Sequence, residues 1–214
     1  MVIAIDRPAG AGKSTVARAV AAALDFTYLD SGAMYRCVAL AALRAGADLD
    51  DGPAVGAIAA GLDLRLDGGR VRLDGADVSV EIRTAEVSGA ASLVSVHPEV
   101  RAAMVERQRR LIDAGRYVAE GRDIGTVVSP DAPLKIFLVA SGAERARRRA
   151  AESGAAVAEV QAAIAERDER DRAREHGALR AAEDAVEIDT TGLAVEAVVE
   201  RVTELARERG LAEA

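Results

Sequence analysis

Apolar runs and helical periods alternate along the chain in a way that predicts a parallel α/β sheet. Residues 2–6 (VIAID) form a continuous apolar run that ends in Asp, which is typical of a strand buried on both faces. A glycine-rich turn, an alanine-rich helical segment, the short strand FTYLD and a second helical segment closed by Gly46 follow in order. Because this order of elements is the βαβ pattern, we expect an α/β fold.

The pattern changes at about residue 62. Residues 62–78 (LDLRLDGGRVRLDGADV) alternate apolar and polar positions around Gly68 and Gly69, which predicts an antiparallel hairpin with a tight turn. Two helical segments divided at Pro98 follow this hairpin. We interpret the hairpin as a small antiparallel insertion into a parallel domain.

The second half of the chain returns to the α/β pattern. Three further apolar segments, YVAEG, LKIFLVA and AVEID, predict strands and bring the predicted sheet to five. Between and after them lie charged helical segments at residues 143–154 and 156–175 and a final amphipathic helix ending at Gly210. The longest apolar runs are far shorter than the roughly 18 residues of a membrane span, so we expect no membrane partner.

Composition narrows the class of protein further. The length of 214 residues suits one domain, and Cys37 is the single cysteine, so no disulfide can form within the chain. A net charge of −7 and the scarcity of aromatic residues argue against a nucleic-acid partner. No charged-then-apolar leader opens the sequence. We therefore expect a cytoplasmic protein that acts on small molecules.

Residues 4–15 (AIDRPAGAGKST) nearly match the phosphate-binding pattern G-x-x-x-x-G-K-[ST]. In such loops small residues let successive backbone N–H groups surround phosphate oxygens, and the following helix points its N-terminus at the same anion. Lys13 would reach the β- and γ-phosphates, and the Ser14 hydroxyl would bind Mg²⁺. Lys13 and Lys135 are the only lysines among 28 basic residues, which favours a specific role for Lys13.

Arg7 stands where the phosphate-binding pattern has its first glycine. A residue before proline is normally extended, and Pro8 follows Arg7, so we expect an extended Arg7 with its side chain directed out of the phosphate cradle. In that conformation arginine is tolerated without backbone strain.

Arginine-rich stretches lie at the ends of the predicted elements and could serve a second anionic substrate. Phosphoryl transfer between two anions needs dense positive charge, which forked guanidinium donors supply. The best placed is Arg122 in EGRDIGT, because a strand has just ended there and ligands bind at the carboxyl edge of a parallel sheet. Arg167, Asp171 and Arg174 have the i, i+4, i+7 spacing of one helical face.

Taken in order, six stretches resemble the bacterial cytidylate kinases: AIDRPAGAGKST, YLDSGAMYR, DVSVEIRTAEVSGAASLVSVHPEVR, EGRDIGTVVSPDAPLKIFLVAS, ERARRR and RDERDRAR. The resemblance covers nearly the whole chain. It implies a P-loop kinase fold with a five-stranded parallel sheet flanked by helices, a small antiparallel β insert in the region that binds the nucleoside monophosphate, and a short Arg-rich lid. The implied bounds are a core of about 1–60, 101–141 and 157–214, an insert of about 61–100 and a lid of about 142–156.

The resemblance also implies the site residues and the reaction, ATP + CMP → ADP + CDP with Mg²⁺. ATP is assigned to the loop residues Pro8, Ala9, Gly10, Ala11, Gly12, Lys13, Ser14 and Thr15, with Ser14 as the metal ligand. CMP or dCMP is assigned to Ser31, Arg36, Ser92, Arg101, Arg122, Asp123, Arg167, Asp171 and Arg174. The transferred phosphate is assigned to Lys13, Arg122, Arg145 and Arg148.

Two alternatives remain open on the sequence alone. One is a kinase for another small acceptor, such as AMP, UMP or shikimate, which would use the same chemistry in a different pocket. The other is a non-catalytic nucleotide-binding paralogue, supported by Arg7 alone. In either case we expect a monomer.

Overall fold

The computed structural model describes residues 1–9, 15–67, 69–175 and 177–212. Strands in this part of the chain are β1 (Val2–Asp6), β2 (Thr27–Asp30), β3 (Leu64–Asp67), β4 (Arg70–Leu73), β5 (Ala76–Asp77), β6 (Tyr117–Gly121), β7 (Leu134–Val139) and β8 (Val186–Asp189). Its α-helices are α1 (Thr15–Ala23), α2 (Ser31–Arg44), α3 (Gly52–Gly61), α4 (Ala85–Val94), α5 (Pro98–Asp113), α6 (Gly142–Ser153), α7 (Val157–Arg172) and α8 (Val195–Glu208).

The chain divides into two compact units, residues 1–28 with 115–214 and residues 29–114. The principal sheet has the strand order β2-β6-β1-β7-β8. Its central strand β1 pairs in parallel with β6 and β7, and β7 pairs in parallel with β8. The prediction of a five-stranded parallel sheet with flanking helices is confirmed.

All five residues of strand β1 are buried because the strand lies in the middle of the sheet. Its apolar side chains join a core with residues of β7, α1 and α8, including Leu134, Val20 and Val202. A strand that is covered on both faces cannot carry polar residues except at its ends. Asp6 stands at the carboxyl end of β1 and is opposite Gly121 in the register with β6, so the first polar side chain appears at the edge where ligands bind.

The predicted hairpin is present in the unit formed by residues 29–114. Strands β3 and β4 pair antiparallel, with Leu64 opposite Leu73 and Asp67 opposite Arg70. Gly69 has a φ of 94°, the left-handed conformation that a tight turn needs, while Gly68 lies outside the described residues. A third short strand, β5, pairs with β4 and completes a three-stranded antiparallel sheet.

Helix α3 was not predicted from the sequence. Its segment carries three glycines, which have poor helix propensity, so the pattern indicated no element there. The available signal was at its start: the Asp51 side chain accepts a hydrogen bond from the backbone N–H of Ala54 at 3.0 Å, and Pro53 stands in the first turn. Asp followed closely by Pro is a recognised helix start.

Two short irregular helices complete the described chain. A 3₁₀ helix spans Glu81–Arg83, and a π-helix spans Ile124–Val128 directly after the β6 edge. Within the described residues no helix is long and apolar enough to cross a membrane.

A substitution in α3 tests how closely α3 and α5 approach. A Cβ added at Gly56 would overlap the Cβ of Glu99 on α5, whereas a Cβ at Gly61 would meet nothing within 4 Å. We expect Gly56→Ala to lower the free energy of unfolding by about 1–3 kcal/mol, because overpacking outweighs the gain in helix propensity. The control Gly61→Ala should be neutral or stabilising in the same urea titration. Equal stabilities of the two variants would contradict the close approach.

Candidate nucleotide site

The predicted phosphate loop follows β1 and precedes α1, which confirms the expected strand-loop-helix context. Its central residues, Gly10, Ala11, Gly12, Lys13 and Ser14, lie outside the described residues. The flanking residues are described: Ala9 is buried, and Thr15 is the first residue of α1. The contacts described below are therefore those of the residues that flank the loop.

Arg7 is not strained. Among the non-glycine residues described, only Asp25 and Asp74 have positive φ, so Arg7 does not adopt the left-handed conformation. Its backbone N–H donates to the carbonyl of Gly121 at 3.3 Å, and its guanidinium lies 3.3 Å from the Glu120 carboxylate on β6. The side chain of this arginine thus ties β1 to β6.

Asp6 holds the segment that follows β6. Its Oδ1 accepts the N–H of Ile124 at 2.8 Å, and its Oδ2 accepts the N–H of Gly125 at 2.7 Å. Burial raises the pKa of Asp6 to about 7, although these two hydrogen bonds oppose the rise. Because the same segment carries Arg122 and Asp123, the Asp6 carboxylate fixes two of the predicted acceptor residues.

A second buried carboxylate, Asp171 on α7, gathers predicted arginines. Arg122 Nε donates to Asp171 Oδ2 at 2.9 Å, and Arg174 forms an ion pair with Asp171 Oδ1. Burial opposes the ionisation of Asp171, but the guanidinium groups of Arg122, Arg174 and Arg167 outweigh it and hold the pKa below its usual value. The structure therefore brings together four residues that the sequence analysis assigned to the acceptor.

The two predicted lid arginines on α6 both bind protein oxygen atoms. Arg145 donates to the carbonyls of Ala9 at 2.8 Å and Ala140 at 3.2 Å. Arg148 donates to the carbonyl of Thr190 at 2.7 Å and to its hydroxyl at 3.2 Å. Their guanidinium groups thus connect α6 to Ala9, near the start of the phosphate loop, and to the turn after β8.

Asp168 on α7 was missed by the sequence analysis. It is 2% exposed, accepts the N–H of Ala9 at 3.0 Å through Oδ1, and forms an ion pair with Arg145 through Oδ2. The available signal was its position three residues before Asp171, which places both carboxylates on one face of α7.

The remaining predicted acceptor residues belong to the unit formed by residues 29–114. Asp30 caps α2 by accepting the N–H of Ala33 at 2.9 Å. The guanidinium of Arg36 lies over Gly32, 3.7 Å from where a Cβ would stand. Arg101 of α5 is 4% exposed and donates to the Tyr35 hydroxyl of α2 at 3.5 Å.

The two predicted serines of the same unit are also nearly inaccessible to solvent. Ser31, the first residue of α2, is 5% exposed, and Ser92 of α4 is 3% exposed. The carbonyl of Ser92 accepts the hydroxyl of Ser95 at 3.1 Å. This unit therefore carries buried polar residues on α2, α4 and α5, which is unusual unless such groups have ligands or partners to satisfy them.

The parallel sheet, the loop between β1 and α1, and the arginines at the carboxyl edge define a P-loop kinase fold. Residues 3–208 match the profile of the cytidylate kinase family. The chain is 49% identical over 213 residues to a cytidylate kinase from Exiguobacterium sibiricum, covering 95% of this chain and 96% of that protein. It is 50% identical over 211 residues to a cytidylate kinase from Caldanaerobacter subterraneus subsp. tengcongensis, covering 96% and 94%.

A solved sugar kinase from a Janibacter species aligns with a TM-score of 0.51 at 16% identity, covering 100% of this chain and 98% of that one, which shows the shared fold alone. The family match and the two relatives go further. The chain belongs to the cytidylate kinase family.

The raised pKa of Asp6 predicts a measurable pH dependence of stability. Because its folded value of about 7 lies above its ordinary value of 3.8, the stability it contributes is greatest below pH 3.8 and is lost as the pH rises through 7. Between pH 8 and pH 5 the wild type should gain on the order of 2 kcal/mol of unfolding free energy relative to Asp6→Asn. Urea titrations of both proteins across that range give the difference, and parallel pH profiles would refute the raised pKa.

Proposed function

We propose that the chain transfers the γ-phosphate of ATP to CMP or dCMP and releases ADP with CDP or dCDP. The observation that carries the proposal is the match to the cytidylate kinase family over residues 3–208. The grouping of Arg122, Arg174 and Arg167 around Asp171 supports it, because it provides the dense positive charge that a second phosphate-bearing substrate requires.

ATP is the phosphate donor, as the kinase family implies. In the proposal the loop of residues 8–15 binds its phosphates through the backbone N–H groups that follow Ala9, and the ammonium of Lys13 reaches the β- and γ-phosphates. The first strand and the first helix meet at this segment, so the helix N-terminus adds its favourable field.

Mg²⁺ fits the oxygen chemistry of this region. It needs only one or two protein ligands, because water and nucleotide phosphates supply the rest. We assign the protein ligand to the Ser14 hydroxyl, as the phosphate-loop pattern predicts. When bound, the ion neutralises charge on the β- and γ-phosphate oxygens.

The acceptor contacts divide by chemistry. Ser92 reads the edge of the cytosine, and Arg36 and Arg101 hold the nucleotide from the unit formed by residues 29–114. Asp171, whose pKa is held below its usual value by the surrounding guanidinium groups, accepts hydrogen bonds from the pentose hydroxyls as a carboxylate. We assign the same nucleotide to the rest of the predicted set: Ser31, Arg122, Asp123, Arg167 and Arg174.

The transfer itself needs no nucleophile from the protein. A phosphate oxygen of CMP attacks the γ-phosphorus in line, the new O–P bond forms, and the bond to the bridging oxygen breaks with ADP as leaving group. The protein contributes positioning and charge neutralisation. We assign the neutralisation of the transferred group to Lys13 and Arg122. Arg145 and Arg148 add positive charge on α6 while their donors hold backbone carbonyls.

Side-by-side assays with CMP, dCMP, UMP, AMP and shikimate test the proposed reaction. We expect kcat/KM for CMP and dCMP to exceed the values for the other acceptors by at least about tenfold, because a wrong base leaves buried polar groups unpaired. A preference for another acceptor would reassign the pocket. ADP formation that stays at background with every acceptor would favour a non-catalytic nucleotide-binding protein.

Removal of the Lys13 ammonium tests the donor site. Lys13→Ala should lower kcat by about two orders of magnitude or more, since losing one donor to the transferring group costs about 3–4 kcal/mol in the barrier. Lys135→Met is the matched control, because it removes the only other lysine ammonium and keeps the side-chain stem that packs against Gly125. A near-normal kcat in Lys13→Ala would remove the loop from the mechanism.

A further inference from the structure

Asp168 joins three segments that are distant in sequence. Its Oδ1 accepts the N–H of Ala9, 159 residues earlier in the chain, at 3.0 Å. Its Oδ2 forms an ion pair with Arg145 on α6. The carboxylate itself lies on α7, so one side chain holds the residue before the phosphate loop against two helices.

Both backbone polar groups of Ala9 are fixed by this one ion pair. The N–H is held by Asp168, and the carbonyl accepts Arg145 Nη1 at 2.8 Å. The guanidinium of Arg145 is itself oriented by a hydrogen bond from its Nε to the carbonyl of Ala140 at 3.2 Å. Because Ala9 directly precedes residues 10–14, the position of Ala9 sets where the loop backbone begins.

The ion pair lies beside an open depression in the surface. A cleft of about 600 Å³ is lined by Arg145, Ala165, Asp168, Glu169, Arg172 and Ala173. A buried ion pair is weak evidence for a contribution to stability, because well-packed apolar residues often serve as well. An apolar pair could not, however, form the two hydrogen bonds that this ion pair makes to the backbone of Ala9.

We propose that Asp168 is a positioning residue of the ATP site, which acts by holding Ala9 and Arg145 so that the loop N–H groups meet the donor phosphates. This rests on the proposed function for the identity of the ligand. Asp168 touches no reacting atom in this account. It orients the loop that does.

The first test compares Asp168→Asn with Glu166→Gln in the full-length protein. Asn presents an N–H₂ group to the Arg145 donor, whereas Glu166 is an exposed partner of Arg170 on the same helix. Calorimetric titration with ATP should show affinity weaker by about tenfold or more in Asp168→Asn, since small misplacements of a site cost this much. Glu166→Gln should stay within about twofold of wild type, as expected for a surface pair.

The second test separates positioning from stability. Asp168→Leu combined with Arg145→Met replaces the ion pair by apolar side chains and should recover the unfolding free energy lost in Asp168→Asn. The ATP affinity should remain below that of Arg145→Met alone, which accounts for any direct contact of Arg145 with phosphate, because Leu and Met cannot bind either polar group of Ala9. Recovery of ATP affinity together with stability would show a purely structural role and overturn the proposal.

Two further results would also overturn it. One is an ATP affinity of Asp168→Asn equal to that of wild type. The other is rapid hydrogen exchange of the Ala9 amide in the wild-type protein, a measurement that does not depend on the folding of any variant. KM for CMP is measured alongside and should change less than about threefold, because the acceptor residues are untouched. Since ATP binding is measured without an acceptor, a wild type that binds ATP but makes no CDP would count against the proposed function alone.

Discussion

Buried carboxylates that must find donors shape the carboxyl edge of the principal sheet. Asp6, Asp168 and Asp171 are each no more than 5% exposed, and an ionised carboxylate without partners at such depth would cost several kcal/mol. Each has at least one donor from a distant part of the chain. Asp6 accepts two backbone N–H groups, Asp168 accepts a backbone N–H group and a guanidinium, and Asp171 pairs with guanidinium groups. The segments that carry these donors are therefore held in place by the need of each buried carboxylate for hydrogen-bond partners.

This arrangement prepares the positive side of the site before any substrate arrives. Arg122 and Arg174 are both anchored on Asp171, so their side chains lose rotamer freedom during folding and not during binding. Charges that are already oriented need no reorganisation in the transition state, which is the main source of electrostatic catalysis. The cost is that each guanidinium shares its donors with an acid, so substrate phosphate must compete for them.

Much of the fold was readable because the parallel strands are continuous apolar runs. A strand end singled out Arg122, and a helical spacing put Asp171 and Arg174 on one face, but that they share one site was implied only by the family resemblance. Helix α3 was hidden because Gly56 serves close packing against α5, a reason that exists only in three dimensions. Asp168 was hidden for a similar reason: its partners lie far away in the chain, and its neighbours in sequence are equally charged.

The residues assigned to the acceptor nucleotide show a second limit of prediction from sequence. Ser31 and Ser92 carry no pattern of their own, since a buried serine in a helix has many ordinary explanations. They were assigned by resemblance to a family, and the structure adds their burial. Physical reasoning from sequence is thus strongest where chemistry imposes a spacing, as in a phosphate loop, and weakest where a lone hydroxyl carries the contact.

The long-range contacts of Ala9 bear on how the protein is made. Ala9 emerges early in synthesis, but the carboxylate that binds its N–H is at position 168 and the guanidinium that binds its carbonyl is at position 145. The start of the nucleotide loop therefore stays without its final supports until most of the chain has left the ribosome. Contacts of such high sequence separation form late and slowly. Nascent chains that stop short of α7 carry the loop sequence but lack Asp168, so the N–H of Ala9 gains its acceptor only near the end of translation.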